Sequence, residues 1–165
     1  MKTIILIISL CCLANLPGMS QETPYPTARV AKLPVKGTVT KDQNSKMRAV
    51  LHDIHIDNDV LYFRIGIRNG SHIRFDIDFI RFYIRDRKLA KRTVTQEHET
   101  MPVDIDGLER PTVDGKCGKT IVAALDKFTV ADGKLFTIEI YEKDGGRHLS
   151  LKVRNRHIEN AKPIN

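Results

Sequence analysis

The chain is 165 residues long, with 41% apolar and 28% charged residues and a formal net charge of +7 at pH 7. Disordered chains have fewer apolar residues and a larger charge imbalance, so this composition is that of an ordinary globular protein, and the length fits one domain. Acidic and basic residues are interleaved, so the positive surplus favours solubility and anionic partners without pointing to nucleic acid.

Lys2, an apolar run from Ile4 to Leu13, then Pro17, Gly18, Met19 and Ser20 have the order of a secretory signal, with small residues before Gln21. Cleavage after Ser20 is expected, lowering the net charge to +6 and giving an exported, soluble or peripheral protein. The run is too short for a membrane span, which needs roughly 20 apolar residues. Lipid attachment at Cys11 or Cys12 is disfavoured, because Leu10 and Cys11 stand where a small residue is wanted. With those two removed, Cys117 has no internal partner; a buried inert thiol is the preferred reading over pairing with another chain.

From Gln21 to about Lys46 the chain is polar and interrupted by Pro24, Pro26 and Pro34, which reads as an extended leader or linker. Alternation follows. Leu61, Phe63, Ile65 and Ile67 lead to Asn69-Gly70, a type I′ turn signal, and Ile73, Phe75, Ile77 and Phe79 come next, so the two runs read as a hairpin. At Phe79-Ile80 the apolar set shifts to Ile80, Phe82 and Ile84. A strand has period two, so this slip predicts a bulge or a change of sheet near Phe79.

Asp86-Arg87-Lys88 reads as a turn, and Thr93 to Thr95 as the start of a strand. Pro102 to Gly118 reads as a long loop, either a surface excursion or a binding element. Apolar character returns at Ile121 to Leu125 and Phe128 to Val130. Phe136, Ile138 and Ile140, then Leu149, Leu151 and Val153, flank Asp144-Gly145-Gly146 as the clearest hairpin. Residues 162–165 read as a tail. Short strands between turns, with no 15-residue helical stripe after the signal, predict an all-β fold over residues 47–161: an antiparallel β-sandwich, Ig-like or barrel-like. Its expected core is Leu61, Phe63, Ile65, Phe82, Ile84, Phe128, Ile138, Ile140, Leu149 and Leu151.

Chemistry-bearing candidates are few. In a regular strand His52 and His55 fall on opposite faces while His55 and Asp57 share one, too few ligands for a closed metal site, so a solvated edge strand is the expectation. Arg85, Arg87, Lys88, Lys91 and Arg92 form a basic stretch, with only Tyr83 nearby for stacking, and read as a solvated hairpin tip. Arg147 and His148 follow Gly145-Gly146, but a tight turn already explains those glycines. The sequence has no glycine-rich phosphate loop, H-E-x-x-H or G-x-S-x-G motif, so no catalytic, cofactor or metal residue is assigned.

The stretch Ile77-Asp78-Phe79-Ile80-Arg81-Phe82-Tyr83-Ile84-Arg85-Asp86, with Lys88, Lys91-Arg92 and Gln96-Glu97, resembles the C-terminal domain of TraN proteins of Bacteroides conjugative transposons. Lys127 to Val130, Glu142 to Leu149 and Arg154 to Ala161 resemble the same domain in the same order. TraN-like chains carry a substantial region ahead of this domain, where here the polar leader stands. The resemblance implies a non-enzymatic envelope subunit of a conjugative, type IV secretion-like apparatus, similar to an outer-membrane core-complex subunit with a β-sandwich region. Its expected location is the periplasm or the outer-membrane periphery. Its expected partners are other envelope proteins of the apparatus, and self-association, rather than DNA. Under this reading Arg85, Arg87, Lys88, Lys91, Arg92, Arg147 and His148 are the candidate interaction surface. The alternative is a stand-alone periplasmic binding module for glycan, peptide or DNA.

Overall fold

The computed structural model describes residues 25–87 and 97–164. The expected signal segment, the start of the leader, the Thr93 to Thr95 strand, and Lys88, Lys91 and Arg92 lie outside the described residues.

The first sheet begins as a meander of β1 (Thr40–Asn44), β2 (Met47–Asp57) and β3 (Val60–Asn69). Its turns are Ser45-Lys46 and Asn58-Asp59, where all four residues have positive φ (48°, 63°, 44° and 66°). Two consecutive positive φ angles are the type I′ geometry, whose twist matches that of paired strands. β3 then pairs with β8 (Gly118–Asp126), and β8 with the short β6 (Asp104–Asp106). β11 (Lys162–Pro163) lies parallel to β2 at His55-Ile56, beyond the stretch that β1 occupies. The expected C-terminal tail is therefore partly a strand.

In the second sheet the order is β10 (His148–Val153), β9 (Lys134–Glu142), β4 (Phe75–Asp86) and β5 (Glu97–Glu99), with β7 (Thr112–Val113) on the start of β4. The two sheets form the expected antiparallel all-β sandwich, and β9 and β10 form the expected hairpin. The expected loop from Pro102 to Gly118 holds β6 and β7 and so closes an edge of each sheet.

The β3–β4 hairpin expected at Asn69-Gly70 does not form. β3 and β4 belong to different sheets, and Gly70 is not among the residues with positive φ. Asn69, fully buried, ties the crossover instead: its Nδ2 donates to the carbonyls of Ile73 (2.7 Å) and Val113 (3.1 Å), and its Oδ1 accepts from the Ser71 amide (3.0 Å). Both runs carry an apolar face, and placing them on opposing sheets buries each against the other.

The slip expected near Phe79 is present. Ile77 faces Glu142 and Ile80 faces Ile140, which leaves one extra residue on β4. Phe75 and Ile77 point inward before the bulge and Phe82 after it, while Phe79 is turned out and 45% exposed. A second bulge, which the sequence reading missed, sits between Leu51 and Asp53. It moves the inward set of β2 from Met47, Ala49 and Leu51 to Ile54 and Ile56. The core has Phe136 at its centre, with ring centroids 5.1 Å from Phe63 and 4.8 Å from Phe128. Of the expected core residues, Ile84 and Phe128 are only partly buried.

The expected leader is not one extended linker: its residues 40–44 are β1 of the first sheet, and the described residues ahead of them form a strap that includes a helix. Helix α1 (Thr27–Lys32) lies on the outer face of the first sheet, with Val30 buried against Val60, Tyr62, Val122 and Ala124. Val60 and Tyr62 of β3 and Val122 and Ala124 of β8 present an apolar patch to that face, and α1 keeps water from it. A second short helix, α2 (Asn155–Glu159), follows β10. No helix among the described residues is long and apolar enough to cross a membrane.

Candidate functional site

β4 and β9 run the full height of the second sheet and separate the predicted interaction residues into two groups. Asp86 pairs with Lys134 at one end and Ile77 with Glu142 at the other. Eight residues of strand, roughly 26 Å, lie between these ends. Arg85 and Arg87 are therefore at one end, Arg147 and His148 at the other, and they do not form one surface.

At the far end Arg147 is committed to the fold. Its Nε donates to both Glu142 carboxylate oxygens, at 2.9 and 3.0 Å, and its Nη2 reaches Glu142 and the Arg74 carbonyl. The guanidinium lies 5.1 Å from the Phe75 ring centroid. These bonds hold the Glu142 carboxyl below the usual carboxylate range. A Cβ on Gly145 would lie 2.2 Å from a Glu142 carboxylate oxygen, so the glycine makes room for this pair. Arg147 is thus a clasp between the β9–β10 turn and the sheet crossover.

His148 behaves differently. It is exposed, and its ring stacks 5.7 Å from Tyr141, which stacks 4.6 Å from Phe79. The bulge on β4 places Phe79 in this row. Three rings from three neighbouring strands thus form a ladder on the outer face of the second sheet. The Tyr141 hydroxyl donates to Glu139 at 2.7 Å, which fixes the middle rung. Further along the face Arg81 lies 4.8 Å from the Tyr83 ring centroid and 3.3 Å from both Glu97 and Glu99. Burial, then the Glu139 carboxylate, pushes the Tyr83 hydroxyl up to about 12. Sequence reading singled out His148 but not Phe79 or Tyr141; the phase slip was the signal that Phe79 turns outward.

At the near end the Arg85 guanidinium lies 6.0 Å from the Tyr83 ring, and Arg87 lines a hollow of about 330 Å³ with Lys152, Arg154, Arg156 and His157. Only Arg87 of these five was singled out from sequence. The others are scattered over the C-terminal residues, and the turn of α2 after β10 gathers them.

The His52 to Asp57 segment is not the solvated edge strand expected: β3 pairs with it on one side, β1 and β11 pair with β2 on the other side up to Leu51 and from His55, and Asp53 and His55 are buried on its outer face. Arg64, on the adjacent strand, is fully buried and uses all five N–H groups. Nε and Nη2 bind the two Asp53 carboxylate oxygens, Nη1 the carbonyls of Val30 and Leu33, and Nη2 also that of Pro34. His55 Nε2 lies 3.4 Å from the Asp53 carboxylate, and its Nδ1 makes no hydrogen bond among the described residues. Burial, against the pull of Asp53, keeps His55 below the ordinary imidazole range. Among the described residues no group of three or more His, Cys, Asp or Glu is placed to hold a metal ion. Cys117 is exposed, contrary to the preferred expectation, because it sits on the open side of the turn before β8.

No curated protein matches the chain. A family model described as a domain of unknown function (DUF4138) matches residues 34–163, which hold every described strand but not helix α1, and the chain belongs to that family.

Proposed function

We propose that the chain is a non-enzymatic envelope subunit of a conjugative, type IV secretion-like apparatus, of the TraN kind, and that it works by docking to other subunits. The observation that carries this reading is the ring ladder Phe79–Tyr141–His148. Its rings stack on one another on an open sheet face, Phe79 is 45% exposed, and the adjacent Arg147 and Glu142 are already paired. Exposed aromatic rings on a rigid sheet, with charged groups around them, are the chemistry of a protein–protein anchor. The sequence blocks that resemble TraN-like domains include β4 and the β9–β10 turn, the segments that carry the ladder.

Affinity capture from the native envelope, with the chain as bait, is expected to recover other transfer-apparatus proteins. Phe79→Ala together with His148→Ala is expected to lose them while the thermal midpoint stays nearly unchanged. Recovery of no such protein under mild extraction would overturn the reading. The second reading, a stand-alone envelope module, is favoured by the five basic residues gathered around Arg154 at the other end of the sandwich.

A further inference from the structure

Residues 33–40 and residues 152–163 border a groove that runs from the outer face of the first sheet to the Leu135 and Lys152 end of the second. Three hollows of about 220, 220 and 330 Å³ make it up, and neighbouring hollows share walls: Asp53 and Lys162 between the first pair, Val39, Arg156 and His157 between the second. Among the described residues its charged lining is almost wholly of one sign. Lys36, Lys162, Arg156, Arg154, Lys152 and Arg87 are cationic, and the single lining carboxylate, Asp53, is neutralised by the buried guanidinium of Arg64. None of the six makes an ion pair with a described carboxylate. Gathering unpaired cations in one groove raises self-repulsion that an anionic occupant relieves.

Between these charges Leu33, Pro34, Val39, Ile54, Leu135 and Pro163 give aliphatic surface beside the imidazoles of His52, His55 and His157, and among the described residues no Phe or Tyr lines any of the three hollows. Single-stranded nucleic acid is held by stacking on large aromatic rings as well as by charge, and the described lining offers no Phe or Tyr platform for it. At its centre β2 is open. β1 pairs β2 as far as Leu51 and β11 begins at His55, so among the described residues no strand covers that edge at His52, Asp53 and Ile54. Nδ1 of His52 and Nδ1 of His55 are buried there without a hydrogen-bond partner among the described residues. An uncovered strand edge and orphaned imidazoles suit a peptide backbone, which supplies donors and acceptors in alternation.

We propose that this groove receives an extended acidic peptide segment of another protein. Carboxylates of the segment meet the row from Lys162 and Lys36 to Arg87, its small apolar side chains rest on Val39 and Leu135, and its backbone reaches the open edge of β2. The assignment is independent of the conjugation reading, since a docking subunit and a stand-alone module could both use it.

The test is fluorescence anisotropy on the purified chain with a labelled peptide of alternating Glu and Ala, about twelve residues long and ~40 Å when extended. The Glu peptide is expected to bind saturably, with affinity falling as salt rises, and the matched Gln peptide at least about tenfold more weakly. Oligothymidylate of similar length is expected to bind more weakly than the Glu peptide. Arg87→Glu with Lys152→Glu should weaken Glu-peptide binding about tenfold or more at an unchanged unfolding midpoint. Arg156→Glu is a second variant should the first unfold. Backbone amide exchange at residues 52–54 should slow when the Glu peptide is bound. Oligothymidylate binding as tightly as the Glu peptide, no saturation at about millimolar peptide, or wild-type affinity in the reversed variants would each overturn the assignment. Because the probe is synthetic, failure here is distinct from failure of the envelope capture.

Discussion

Arg64 and Asp53 face one another across β3 and β2, and the guanidinium that grips the Asp53 carboxylate with one edge caps the end of α1 with the other. The pair is the pin that holds the N-terminal strap on the outer face of the first sheet. A cation among the last carbonyls of a helix also complements the negative end of its dipole.

Arg64→Ala is therefore expected to cost about 3 to 5 kcal/mol, because it leaves the Asp53 carboxylate buried without its partner. The strap should loosen with it. Urea unfolding measures the first effect, and limited proteolysis, with cleavage appearing between α1 and β1, the second. An intact strap in a destabilised variant would show that the packing around Val30 and the Thr27–Asp104 hydrogen bond hold α1 without the pin.

The two phenylalanines flanking the β4 bulge are expected to differ. Phe82 is 1% exposed and central, so Phe82→Ala should cost about 3 to 5 kcal/mol. Phe79→Ala removes one rung of an exposed stack and should cost about 1 kcal/mol or less. Equal costs in urea titrations would mean that the bulge does not turn Phe79 outward in solution.

At the sheet crossover, Asn69→Asp replaces two donated hydrogen bonds by carboxylate oxygens facing the carbonyls of Ile73 and Val113. A loss of about 3 kcal/mol or more is expected at neutral pH, smaller in acid where the carboxyl is protonated. A pH-independent loss in chemical denaturation would contradict this account.

Stability should fall on mild acidification. His55 is kept below the ordinary value of 6.5 by burial, and His157 by burial and then by Arg156 and Arg154. As pH drops past 6.5 the unfolded chain takes up these protons first, so stability declines until pH passes the folded-state values and then levels off. The carboxyl of Glu142 is held below its ordinary 4.5 and contributes only in stronger acid. Urea midpoints at about pH 7.5 and about pH 5.5 should show the decline, and His55→Gln should reduce it. A midpoint that rises on acidification would contradict it.

The β9–β10 hairpin, the inward set Leu149, Leu151 and Val153, and the slip at Phe79 were legible in sequence because each is a local property of the strand pleat. The Asn69-Gly70 signal misled because a turn motif says that the chain bends, not which strand it then pairs with. The site was less legible. Arg147 and Arg87 look alike as basic residues beside turns, yet one is a clasp on Glu142 and the other lines a groove. Phe79 and Tyr141, far apart in sequence, are neighbours only because β4 pairs with β9 with one residue bulged out.

The residues alone determined that this is a β protein, which side chains of most strands point inward, and where one strand changes face, because backbone geometry repeats every two residues whatever lies across from it. Only the tertiary structure decided which strands share a sheet, that Arg64 is buried under the strap, and that cations from residues 36, 87 and 152–162 share one groove. Those outcomes depend on burying apolar faces contributed by distant segments, and a charged residue reads the same in sequence whether it ends in water, in a clasp or in a groove.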